Sequence, residues 1–178
     1  MSSTLKKGLV QVYTGNGKGK TTAALGLALR ASGHGMKTFV CQFMKGYEYG
    51  EVRSAKKLGD LVRIEQFGGE ACIPLKDKPD QVDVDRAGSG MQRAREVLDS
   101  GDYDIVILDE ILCAVHFSLV DEGDVLDLID RPRGNTELIL TGRWAGDAVI
   151  EKADLVSEVK EIKHYFTQGI QARDGIER

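Results

Sequence analysis

Leu9-Val10-Gln11-Val12-Tyr13 is a short apolar, β-rich run, and Thr14-Gly15-Asn16-Gly17-Lys18-Gly19-Lys20-Thr21-Thr22 leads from it into the Ala- and Leu-rich segment Thr21–Ala31. A strand, a glycine-rich turn and a helix in that order make a phosphate site. The glycines let successive backbone N–H groups face one concavity, and the helix that starts there adds its N-terminal partial charge. Lys20, expected in a solvent-facing loop, is placed to reach phosphates, and the Thr21 hydroxyl to ligate Mg²⁺. One position departs from the usual spacing. The glycine normally found five residues before the Gly-Lys pair is replaced by Thr14, and the first glycine is Gly15. A nucleotide pose unlike that of an ordinary NTP hydrolase is therefore expected.

Working outward, the helix is expected to stop at Ser32-Gly33-His34-Gly35, with His34 as a turn residue. Further strands are expected at Thr38–Phe43, Leu61–Glu65, Tyr103–Leu108, Glu137–Thr141 and Leu155–Val159. Helices are expected at Asp83–Leu98, whose start is blurred by Gly88 and Gly90, at Glu122–Ile129 and at Ala145–Glu151. Near-continuous apolar strands alternating with helices imply a mostly parallel sheet covered on both faces. All three prolines fall between these elements, and no repeat or linker interrupts the chain, so one domain over 1–178 is expected.

The composition narrows the function classes. With 24 Lys plus Arg against 28 Asp plus Glu, the balance argues against a generally basic nucleic-acid binder, though not against a local basic site. No apolar run approaches the ~20 residues that span a bilayer, and Met1–Lys7 is too short and polar for a signal peptide. Cys41, Cys72 and Cys113 are odd in number and lack metal-ligand spacing, which fits a reduced, cytoplasmic setting.

Asp109-Glu110 closes the strongest strand. A carboxylate there can hold Mg²⁺ and its neighbour can act as a base; spacing leaves open which does which. Arg143, in Thr141-Gly142-Arg143, either reaches an anionic ligand at the same sheet edge or forms a surface ion pair. His164 follows the last strand in a polar stretch, as ligand contact or plain surface. The irregular stretch Gly68–Gln81 is either a ligand loop or a surface crossover.

Taken in order, these segments resemble the P-loop family of ATP:corrinoid adenosyltransferases. The matching pieces are Tyr13–Ala23, Gly33-His34-Gly35, Gln42-Phe43-Met44-Lys45-Gly46, Gly50-Glu51, Tyr103–Ile111 and Leu140–Arg143, then Ala153–Glu158, Lys160–His164 and Gly169–Ile176. The resemblance implies a single-domain RecA-like α/β fold and, usually, a homodimer. It implies transfer of the 5′-deoxyadenosyl group of ATP, the co-substrate, to a reduced corrinoid, with release of triphosphate. Gly15, Asn16, Gly17, Lys18, Gly19, Lys20, Thr21 and Thr22 match the triphosphate-holding loop, and Thr21 and Glu110 match the contacts to Mg²⁺, for which Mn²⁺ is an alternative. In that family the nucleotide runs through the loop in reverse, which accounts for the shifted glycine. Lys18 and Lys20 then stabilise the leaving triphosphate, and a flavoprotein or other reductant supplies the Co(I) state. A P-loop kinase or NTP hydrolase, or a non-catalytic corrinoid carrier, is the alternative reading.

Two features depart from the family. Longer relatives carry an N-terminal helix over the corrinoid, whereas about seven residues precede the first strand here. Some relatives also have a Phe-x-Trp pair below the corrin ring, where this chain reads Phe67–Pro74 without it. Phe67, Cys72 and Ile73 are the apolar candidates for that face, in a segment expected to become ordered with corrinoid and ATP.

Overall fold

The structure, a computed structural model, describes residues 5–69 and 79–178. Six strands form one sheet: β1 (Val10–Thr14), β2 (Thr38–Phe43), β3 (Val62–Phe67), β4 (Ile105–Asp109), β5 (Glu137–Thr141) and β6 (Leu155–Glu158). Their order is β3-β2-β4-β5-β1-β6, and each pairing is parallel. The helices are α1 (Lys20–Ser32), α2 (Gly50–Lys57), α3 (Gln81–Ser100), α4 (Ile111–His116), α5 (Glu122–Asp130) and α6 (Asp147–Lys152).

The period of two along each strand divides the core into two layers. Val40, Ile105, Ile107 and Ile139 pack with Ala24, Ala28 and Ala31 of α1 and Ala55 of α2. Phe39, Val106, Leu108, Leu138 and Leu140 pack on the other face with α3, α4, α5 and Val149 of α6. The small residues of α1 recur every three or four positions and let that helix lie close to the sheet. This is the RecA-like α/β architecture with helices on both faces.

Several expected boundaries move by one or two residues, and two helices were not anticipated. In α2 only Ala55 is buried, so its charged sequence offers no apolar stripe to read. In α4 the run Ile111–Ala114 is buried throughout, so it has no period. α3 passes straight through Gly88 and Gly90. At Gly90 a Cβ would lie 2.9 Å from the rings of both Phe43 and Phe67, so glycine lets α3 settle onto β2 and β3. The helix cost of that glycine, ~1 kcal/mol, is offset by packing. Residues 70–78 of the irregular stretch, Cys72 and Ile73 included, lie outside the described residues.

Candidate functional site

The carboxyl ends of β1, β2, β4 and β5 converge beside the N-terminus of α1, where open α/β sheets bind ligands. The glycine-rich turn is anchored by the Gly17 N–H, which donates to the Val159 carbonyl at 2.8 Å. α1 begins without a side-chain cap and without an acid in its first turn. Its leading N–H groups are therefore left for an anion.

Lys20 is not in a solvent-facing loop. It is the first residue of α1, only 6% exposed, with Nζ donating to the carbonyls of Gly15 at 2.7 Å and Gly17 at 2.8 Å. The tight turn folds its own carbonyls around the ammonium. Burial pushes the Lys20 pKa below the ordinary lysine value, against the attraction of Glu110.

Asp109 is 1% exposed and, among the described residues, takes four donors, all of them side chains. Oδ1 accepts from the hydroxyls of Thr21 at 2.8 Å and Thr141 at 2.7 Å. Oδ2 accepts from Lys45 Nζ at 2.8 Å and Gln42 Nε2 at 3.2 Å. Sheet register explains the meeting, since Gln42 of β2 pairs directly with Asp109 of β4. With each oxygen taking two bonds, Asp109 is a hub that orients its neighbours. Thr21 spends its proton on Asp109, so its oxygen can only accept; Lys45 Nζ donates to it at 3.4 Å, and a lone pair remains for a cation.

Glu110 is differently placed. It has φ 62°, and its N–H donates to Thr141 Oγ1 at 3.0 Å. A left-handed non-glycine residue costs about 1–3 kcal/mol and is tolerated where neighbours fix it. Glu110 is partly exposed and lines a cleft of ≈ 800 Å³ together with the turn. Burial, with Glu110 next to it, pushes the neighbouring Cys113 thiol up to about 12, so it stays protonated.

That cleft brings together most of the residues singled out by sequence. Asn16, Gly17, Lys18, Gly19, Lys20, Thr21 and Thr22 line it with Glu110, Arg143 and His164. Gly15 does not line it and contributes a carbonyl to Lys20 instead. His34 is an exposed turn residue, as expected. Sequence reasoning missed Lys45 and Gln42 as site residues. A glutamine ending an apolar strand, in step with a strand-end aspartate, was the available signal.

It also missed the aromatic rim. Trp144 stacks on His116 with centroids 3.9 Å apart, Phe117 stands edge-on at 6.0 Å, and Trp144 is 47% exposed. These residues come from α4 and the turn after β5, so no spacing in the sequence joins them. On the opposite wall, Lys18 Nζ donates to the Ile176 carbonyl at 3.2 Å. The turn bearing Ile176 is clasped by Arg173–Glu177 and Tyr165–Glu177 contacts, which hold the Glu177 carboxyl down to about 2.

Fold and cleft together define a P-loop protein built around a nucleotide's phosphates. The chain belongs to the family described as ATP:corrinoid adenosyltransferase BtuR/CobO/CobP, which matches residues 6–178. It is 36% identical to a corrinoid adenosyltransferase of Sinorhizobium sp over 99% of this chain and 83% of that protein. The corrinoid adenosyltransferase of Escherichia coli K12 is 35% identical over 97% of this chain and 86% of its own length. That of Pseudomonas aeruginosa is 34% identical, over 97% and 84%. Among the described residues, no helix is long and apolar enough to cross a membrane.

Proposed function

We propose that this chain transfers the 5′-deoxyadenosyl group of ATP to the cobalt of a reduced Co(I) corrinoid and releases triphosphate. Beside family membership, the observation that carries this reading is the division of labour between the acids. Asp109 is committed to four side-chain donors, and the turn, Lys20 and Glu110 are gathered at one cleft.

In the reaction the cobalt electron pair forms the Co–C5′ bond while the C5′–O bond breaks, its pair leaving on the triphosphate. No proton moves, so no general base is required. What the leaving group needs is positive charge and N–H donors at the oxygens that gain charge, which the turn, Lys18 and Lys20 provide. Arg143, on the cleft wall, is a further cation for the anionic ligand.

The donors present fit Mg²⁺, or Mn²⁺ in its place. The Thr21 hydroxyl and Glu110 carboxylate are hard oxygen ligands, and among the described residues no group of three His, Cys, Asp or Glu forms a metal cage. Phosphate oxygens would complete the shell, as is usual for Mg²⁺. The ion would supply charge neutralisation on the triphosphate.

The apolar rim of Phe117 and Trp144 supports placing the flat corrin there, with the cobalt facing the nucleotide. A flavoprotein or other reductant would deliver the Co(I) state. Free Cys41 and Cys113, with ATP as co-substrate, support a cytoplasmic setting. β6 supports a homodimer: it is an edge strand with Leu155 and Val156 45% and 41% exposed. One domain over residues 1–178 carries all of this.

Product analysis after mixing protein, ATP, Mg²⁺ and chemically reduced corrinoid tests the reading. Adenosylcorrinoid with triphosphate is the expected result. ADP would support phosphoryl transfer or hydrolysis instead, and two unchanged ligands would support a carrier.

A further inference from the structure

Lys45 has no part in the reaction as written, yet the chain goes to some length to place it. Met44, just before it, has φ 58°, a left-handed conformation that unbranched side chains seldom adopt. Gly68, after β3, passes so close that a Cβ there would lie 2.3 Å from the Lys45 backbone nitrogen, and a Cβ on Gly46 would lie 2.5 Å from the Gly68 carbonyl oxygen. The turn after β2 is thus pressed backbone to backbone against the end of β3. Pinned there, Lys45 turns its ammonium back over the sheet edge. Nζ lies 2.8 Å from Asp109 Oδ2, 3.4 Å from Thr21 Oγ1 and 3.8 Å from Glu51 Oε1.

On the reading that this cleft takes ATP with a divalent cation, we propose that Lys45 is a positioning residue whose ammonium holds Asp109 and Thr21 in place of a metal ion, so that the cation takes up its station only together with the triphosphate. An ammonium 3.4 Å from the Thr21 oxygen repels a second positive ion approaching the same atom. Asp109 Oδ2 at 2.8 Å and Glu51 Oε1 at 3.8 Å flank the ammonium, so its charge is held at this spot rather than swung into solvent. The protein's own ligands are few: Thr21 and Glu110 need phosphate oxygens to complete a shell, and ATP brings both those oxygens and the negative charge that outweighs the lysine. Lys45 also keeps the buried Asp109 carboxylate paired whether or not nucleotide is bound, so the Thr21 hydroxyl is oriented before the ligand arrives.

Mn²⁺, read by the electron paramagnetic resonance of the free ion, serves as the probe on the full-length protein. Wild-type protein without nucleotide should take up no Mn²⁺ at concentrations where, with ATP, it binds one per chain. Lys45→Met should bind Mn²⁺ without nucleotide at least tenfold more tightly than wild type, and its melting temperature should rise with added Mg²⁺ where that of wild type does not. Lys45→Arg should behave as wild type. Lys45→Gln serves as a second neutral variant should Lys45→Met fail to fold, and the wild-type titration needs no variant at all. Tight Mn²⁺ binding by nucleotide-free wild type would overturn the proposal. So would neutral variants that bind Mn²⁺ no better than wild type, since ligand count alone would then explain the order. No uptake even with ATP would overturn the metal reading, and the role of Lys45 with it.

Discussion

Two carboxylates are buried at opposite ends of the same sheet, and they are held in opposite ways. Glu137, at the amino end, is 8% exposed and accepts from the Leu9 N–H at 2.8 Å and Gln11 Nε2 at 2.6 Å. Its neighbours there follow suit: Asp154 accepts from the Val10 N–H and Asp104 from the Lys37 N–H, at 2.8 Å and 2.9 Å. Acids at this end finish strands whose first N–H groups would otherwise go unpaired. Asp109, at the carboxyl end, takes only side chains: two hydroxyls, an amide and an ammonium. Main-chain partners are fixed by the strand they belong to, whereas side-chain partners are groups whose free faces can be aimed at a cleft. The amino end closes the fold, and the carboxyl end orients side chains.

The contrast is most exposed at Asp109. Asp109→Asn should lower the transfer rate by about two decades, because one of the two acceptor oxygens becomes a donor that faces either the hydroxyls or the Lys45 ammonium, and should cost about 3 kcal/mol by removing the charge closest to that ammonium. Steady-state kinetics with a denaturant melt reads both; a full-rate variant would make Asp109 no more than a strand end. Next comes Lys20→Ala. Charge-assisted bonds to phosphate are worth ~1.5–3 kcal/mol each, so turnover should fall about 10- to 100-fold. Near-normal transfer by the folded variant would remove Lys20 from the site.

Glu110→Gln should act mainly through the metal. With its charge gone, the Mg²⁺ concentration for half-maximal rate should rise about tenfold while the melting temperature stays unchanged. If that concentration does not move, Glu110 is a strand-end acid and the division of labour proposed for the two acids fails. Smallest in rate is Glu137→Gln at the other end. It should lose about 1 kcal/mol of stability with kcat untouched. A change in kcat there would erase the distinction between the two ends.

How much of this was legible in the sequence follows from where the information lies. β2 and β5 could be read to the residue because strands buried in a parallel sheet are near-continuous apolar, β-rich runs. The phosphate turn was legible because its residue types sit side by side in the chain. α2 was not, since a helix with one buried residue leaves no stripe. Spacing left the roles of Asp109 and Glu110 open. The donors that separate them come from Thr21 of α1, Gln42 of β2, Lys45 of the turn after it and Thr141 of β5, residues brought together only by the fold. The Trp144–His116 stack was hidden for the same reason, the end of α4 meeting the turn after β5 in space.

The position of β1 carries a consequence for how the molecule is made. The strand bearing the phosphate turn lies between β5 and β6, and its entry bonds reach 128 residues ahead to Glu137 and 144 ahead to Asp154. At a synthesis rate of ~5–20 residues per second, the ribosome delivers those partners about 6–30 s after β1 itself. Until then β1 has no neighbour on either side, and the turn lacks Val159, the residue it rests on. A nascent chain therefore carries the glycine-rich sequence without a nucleotide site, and ATP cannot template its early folding. β1 is synthesised before both strands it pairs with, so capacity for ATP arises only as the sheet is completed.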